Sequence, residues 1–100
     1  MQYRHGDVML EKLLRPPGGE KRLLPHRVLA HGEVTGHRHQ IQEPQGSMLY
    51  EMPAYLLLEV TADFVTLVHE EHKPIELERG YYKVWRQREY SPEEIRVIRD

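Results

Sequence analysis

Proline, glycine and short polar clusters break this chain at intervals of about 8–12 residues, and the runs between them are rich in β-branched and aromatic residues. Helices of ordinary length do not fit such spacing, whereas short antiparallel strands do. Asp7–Leu14 is a first apolar run, ended by Arg15-Pro16-Pro17-Gly18-Gly19, which makes residues 15–22 an exposed loop. Val28–Ala30, His37–Glu43, Ser47–Met52 and Ala54–Val60 follow, the last two separated by Pro53 alone, a sign of an edge or a bend. Thr61-Ala62-Asp63 reads as a turn into Phe64–His69, and Glu78-Arg79-Gly80 as a turn between Lys73–Leu77 and Gly80–Tyr90. The expectation is one all-β domain, a small antiparallel barrel or sandwich of about seven to nine short strands. Ser91-Pro92-Glu93-Glu94 carries the one helical signal, an N-cap serine with proline at the first helical position, and predicts a short helical turn before a last β-branched strand.

Composition narrows the function classes. The chain has 100 residues, 39% of them hydrophobic and 30% charged, enough for one small core and no more. No apolar run approaches the roughly 20 residues of a membrane-spanning helix, and no signal-peptide pattern opens the sequence, so a cytoplasmic protein is expected. Without cysteine there is no disulfide, thiolate metal site or cysteine nucleophile. Fourteen Lys and Arg against sixteen Asp and Glu argue against a protein built to grip nucleic acid. Ser47 and Ser91 are the only serines, and neither sits in a nucleophile-elbow context. Seven histidines stand out.

Two histidine clusters carry the chemical signal. On a strand, residues two apart share a face, so His37, His39, Ile41 and Glu43 lie together while Arg38, Gln40 and Gln42 face water. Ile41 marks the first face as the inner one. His37 and His39 then have Cα atoms roughly 6.5–7 Å apart, close enough for two imidazoles to converge on one ion. The second cluster is His69-Glu70-Glu71-His72-Lys73-Pro74, where a turn over residues 70–73 brings His69 and His72 to one side. It is not the HExxH zinc-protease signature, because Lys73 stands where the second histidine belongs. His31 and Glu33 are further possible ligands, whereas His5 and His26 read as ordinary structural histidines. The expected metal set is therefore His37, His39, His69 or His72, and Glu43. Imidazole with carboxylate suits a divalent transition metal (Zn, Fe, Ni or Mn), and an open coordination position permits hydrolytic or oxygen chemistry.

The spacing His-x-His-x-x-x-Glu over His37, His39 and Glu43, with His69 or His72 as a late histidine, resembles the first metal motif of the cupin superfamily. That resemblance implies a small β-barrel holding a divalent metal with histidines and a glutamate. The chain also resembles a group of short uncharacterised bacterial proteins sharing Gly-Glu-x-Thr-Gly-His-x-His, here residues 32–39, and a terminal Gln-Arg-Glu-Tyr, here Gln87–Tyr90. That second likeness implies no activity.

Two other function classes compete with the metal reading. In one, Arg86, Arg88 and Tyr90 on the last long strand, with the histidine face, contact a protein partner or an anion, and no metal is involved. In the other, two histidines act as acid and base of a metal-independent phosphodiesterase, with Lys83 or Arg88 on the phosphate. Exposed strand edges in so small a chain favour a homodimer. The small-molecule or protein partner is not identified by the sequence.

Overall fold

The structure is a computed structural model that describes residues 1–31, 36–90 and 95–97, the strands over 88–90 and 95–97 by their backbone alone. It is all-β and antiparallel, with no helix among the described residues. The strands are β1 (Gln2–His5), β2 (Val8–Leu13), β3 (Arg22–Leu23), β4 (Val28–His31), β5 (Arg38–Ile41), β6 (Ser47–Glu51), β7 (Leu56–Val68), β8 (Ile75–Arg86), β9 (Arg88–Tyr90) and β10 (Ile95–Val97). Eight of them form one curled half-barrel sheet in the order β1-β2-β8-β7-β5-β4, with β6 pairing β7 and β3 pairing β6. β9 and β10 pair with each other. The expected helical turn over residues 91–94 lies outside the described residues. No helix is long and apolar enough to cross a membrane among the residues described.

The frame of the sheet is the long hairpin of β7 and β8. Val60 pairs with Gly80 and Phe64 with Glu78, so Thr61, Ala62 and Asp63 stand opposite Arg79 alone. This three-against-one bulge bends both strands at the same level. It corrects the sequence reading, which makes separate turns of Thr61-Ala62-Asp63 and Glu78-Arg79-Gly80. The turn-forming residues are real, but they face each other, so they bend a continuous hairpin instead of ending its strands. The reversal itself lies at residues 69–74.

Side-chain parity follows the bend. Leu58 and Val60 point inward before it, Val65 and Leu67 after it; on β8 the change is from Leu77 to Tyr82 and Val84. Both arms therefore face one core, joined there by Val8 and Leu10 of β2, Leu49 of β6, Ile41 of β5 and Leu29 of β4. The Tyr82 hydroxyl donates to the Glu78 carbonyl (2.6 Å), a bond across the bend that satisfies a buried phenol.

A glycine clamps the bulge from outside. The Gly46 carbonyl accepts from Thr61 N (2.9 Å) and Ala62 N (3.1 Å), and a Cβ at Gly46 would lie 2.8 Å from the Ala62 Cβ. Gly46 has φ of 100°, which side-chain-bearing residues rarely adopt. Gly46→Ala should therefore cost about 1–3 kcal/mol through strain and the clash together. Gly18→Ala, with nothing within 4 Å of its Cβ, should be close to neutral. Urea unfolding of both variants checks this; equal midpoints would show that the clamp does not hold the bend.

Candidate functional site

Bending the hairpin carries the 69–74 turn back onto the turn between β1 and β2. His5 pairs with Val8, which leaves Gly6 and Asp7 as a two-residue corner, and Gly6 takes it with φ of 65°. Gly6 also permits close approach: a Cβ there would lie 2.8 Å from His72 Nε2 and 2.9 Å from His39 Cε1. β5 contributes His39, fully buried, with half-buried His37 just ahead of the strand. The 69–74 turn contributes His69, His72, Glu70 and Glu71.

Five of the seven histidines thus form one group. Ring centres are 4.2 Å apart for His39–His69, 4.7 Å for His69–His72, 5.0 Å for His5–His39 and 5.5 Å for His37–His69. Two imidazoles bound to one zinc ion at about 2.0–2.1 Å have ring centres about 5 Å apart, so these spacings are those of rings able to share an ion.

The inner half of the group is a line of polar contacts. The Lys73 carbonyl can only accept, so His5 Nε2 donates to it (3.0 Å). Neutral His5 then has a basic Nδ1, which receives the proton of His39 Nδ1 (2.9 Å). His39 Nε2 lies 3.4 Å from Asp7 Oδ1, both residues being fully buried. Arg86 holds the other oxygen of Asp7, through Nε at 2.8 Å and Nη2 at 2.6 Å. Once His39 Nδ1 has its proton, a neutral His39 turns a lone pair toward the carboxylate. A proton or a cation shared there makes the approach favourable.

The outer half has different partners. His37 Nδ1 lies 2.8 Å from Glu71 Oε2, a contact that favours the proton on Nδ1 and leaves Nε2 basic. Glu70 Oε1 accepts from Arg38 N (3.1 Å). Its own backbone N–H, the Arg38 N–H and the neighbouring His37 and His69 hold the Glu70 carboxyl below the usual range, so it stays ionised. One donor atom each from His37, His69 and Glu70 lie within 4.8 Å of one another. His69 Nδ1 accepts from Glu71 N (2.9 Å).

The geometry gathers His37, His39, His69 and His72 and leaves Glu43 elsewhere. β5 ends at Ile41, so strand alternation no longer aims Glu43. Its two carboxylate oxygens accept from Thr66 N and Thr66 Oγ1, each at 2.7 Å. Burial pushes the Glu43 carboxyl up, but the two Thr66 bonds outweigh it and hold the group below its ordinary value. Arg86 is engaged by Asp7 and does not stand as an open anion contact. The side chains of Arg88 and Tyr90, and all of Glu33, lie outside the described residues. His31 and His26 are exposed. Sequence reading misses His5, Asp7 and Glu70. The one hint for the first two is that His5-Gly6-Asp7 is a tight corner bearing two potential ligands.

A pH dependence follows from His5. Burial pushes its pKa below 6.5, the Lys73 carbonyl bond works the other way, and the nearby His72 and His69 lower it further. The folded state thus binds fewer protons than the unfolded state as pH falls past about 6.5. The associated stability is present above that value and is lost as pH falls through the lowered folded value. Chelator-treated protein should melt at progressively lower temperature from about pH 7 to pH 5, and His5→Asn should flatten the decline. A melting temperature independent of pH over that range would contradict the assignment.

Neither the curated proteins nor the solved structures include a match to this chain. A family match does exist, over residues 4–87, and it spans the whole site from His5 to Arg86. The chain belongs to the family described as Domain of unknown function (DUF8820).

Proposed function

We propose that the protein binds a divalent transition metal at the outer half of the histidine group, with His37, His69 and Glu70 as its ligands. The observation that carries this reading is the 4.8 Å grouping of their donor atoms beside an ionised carboxylate. Donors on one ion sit about 3 Å apart, so closing the set lies within the reach of side-chain rotation. Two histidines and a carboxylate, without sulfur, suit Fe(II), Mn, Ni or Zn. Three protein ligands leave positions for water or substrate, which supports hydrolytic or oxygen chemistry. Glu71 behind His37 is the orienting carboxylate that such ligands ordinarily have. His69 is the ligand that must change, because taking an ion exchanges its Glu71 N–H bond for a metal bond or a tautomer shift. Glu70 replaces Glu43 as the carboxylate of this reading. A cupin-like chemistry, a cytoplasmic setting and a homodimer through the edges of β1 and β4, the two ends of the sheet among the described residues, belong to the same proposal.

The test uses the full chain, stripped with chelator and reloaded with each metal in turn. Ligand at about a thousandfold excess over Kd adds about 4 kcal/mol, and about 1 kcal/mol moves the melting temperature of such a domain by about 4–8 °C. The preferred ion, supplied at about that excess over its Kd, should therefore raise it by more than about ten degrees. His37→Ala and Glu70→Ala, at half-buried and exposed positions, should each weaken binding at least about tenfold while leaving the fold intact. His26→Ala, outside the group, should match the parent. If the protein is metal-free after growth with added Zn, Fe, Mn and Ni, and no ion shifts its melting, the reading fails. The histidine face is then better read as a metal-free interaction surface.

A further inference from the structure

We propose a second metal site in the inner half of the histidine group, where Asp7, His39 and His72 hold a divalent transition metal independently of the outer ligands. The inference starts from a break in the line of polar contacts. Asp7 is fully buried, and its Oδ1 accepts no hydrogen bond among the described residues. His39 Nε2 lies 3.4 Å away, yet no hydrogen bond joins the two atoms. A buried carboxylate oxygen that meets no donor is costly, and a cation between it and the imidazole removes the cost.

The tautomers and the spacing specify the cation. The Lys73 carbonyl fixes the proton of His5 on Nε2, and His5 in turn fixes that of His39 on Nδ1, so neutral His39 presents a lone pair on Nε2. Donors about 2.0–2.1 Å from one tetrahedral zinc stand about 3.3–3.4 Å apart, which matches the 3.4 Å between Asp7 Oδ1 and His39 Nε2. Both residues also have the outer partners that ligands ordinarily have. Arg86 holds the other Asp7 oxygen at 2.8 Å and 2.6 Å, and His39 donates from its far nitrogen to His5 at 2.9 Å.

His72 supplies the third donor. Its Nε2 is buried and has no hydrogen-bond partner among the described residues. A Cβ at Gly6 would lie 2.8 Å from that atom and 2.9 Å from His39 Cε1, so the glycine lets both rings close on the corner that carries Asp7. The ring centres of His39 and His72 are 5.8 Å apart, and side-chain rotation brings them to a shared ion. Such an ion ties together the β1–β2 corner, β5 and the 69–74 turn. Imidazole donors disfavour magnesium and calcium and select transition metals such as zinc. A proton on His39 Nε2 is the competing occupant.

The test removes the outer ligands first. The His37→Ala/Glu70→Ala double variant, stripped with chelator and titrated with zinc, should still bind one equivalent. Adding His72→Ala should weaken that binding at least about tenfold. His72 is half-buried and its Nε2 has no partner to lose, so the triple variant should stay folded, as circular dichroism would verify. Nitrogen NMR of the double variant gives a readout that needs no inner substitution: zinc should shift His39 Nε2 and leave the proton on Nδ1. A double variant that binds no zinc overturns the proposal. So does equal affinity with and without His72, or a His39 ring that keeps protons on both nitrogens at about pH 7 with zinc present. The outer site is judged separately, by the equivalent that the parent binds beyond the double variant.

Discussion

The paired bend of β7 and β8 is the constraint on which the rest depends. A straight hairpin of this length would put the 69–74 turn at the far end of the sheet from the β1–β2 turn, with no shared core. The bulge of Thr61, Ala62 and Asp63 against Arg79 folds the hairpin over, and the parity change in both arms keeps their apolar side chains on the concave side. The same fold sets the Lys73 carbonyl on His5, residues 68 apart in sequence. Core and histidine group are consequences of one geometric event. The bonds that hold it, from Gly46 to the bulge and from Tyr82 to Glu78, lie far from the histidines along the strands.

Much of the fold is legible in the sequence because strand physics is local. Short β-branched runs, glycine and proline punctuation, and alternation through His37, His39 and Ile41 all depend on nearest neighbours, and they predict an antiparallel all-β chain with His39 inward. The misread elements involve pairing at a distance. Thr61-Ala62-Asp63 and Glu78-Arg79-Gly80 each look like a turn when read singly; only their mutual pairing makes them a bend. Glu43 fails for a related reason, since alternation holds only while the strand lasts, and β5 ends two residues earlier. Instead Thr66 on β7 captures it. His5 is invisible to local reading because everything that makes it part of the site comes from partners 34 and 68 residues away.

Packing five imidazoles together is tolerable only if few are charged at once, and the surroundings divide them accordingly. Asp7, fully buried, would be costly without a partner, and the cost of an isolated buried carboxylate is why Arg86 grips it. That pair is close to neutral as a unit. His39 and His5 extend from it toward the Lys73 carbonyl, so both His5 nitrogens and His39 Nδ1 meet partners rather than hydrocarbon. At the outer edge the carboxylates of Glu70 and Glu71 supply negative charge beside His37 and His69.

This division separates scaffold from site. The line from Arg86 through Asp7, His39 and His5 to Lys73 joins β8, β5, β1 and the 69–74 turn, so removing any member leaves a buried group facing an absent partner and loosens several elements at once. His37 and Glu70 instead lie at the periphery, one half-buried and the other exposed, and their loss leaves no buried polar group of comparable cost. A purely structural network would have no need of that outer layer, because the inner line already ties the elements together. Its composition, two imidazoles and an ionised carboxylate within reach of one another, fits a group held ready for a cation on a frame that does not depend on it.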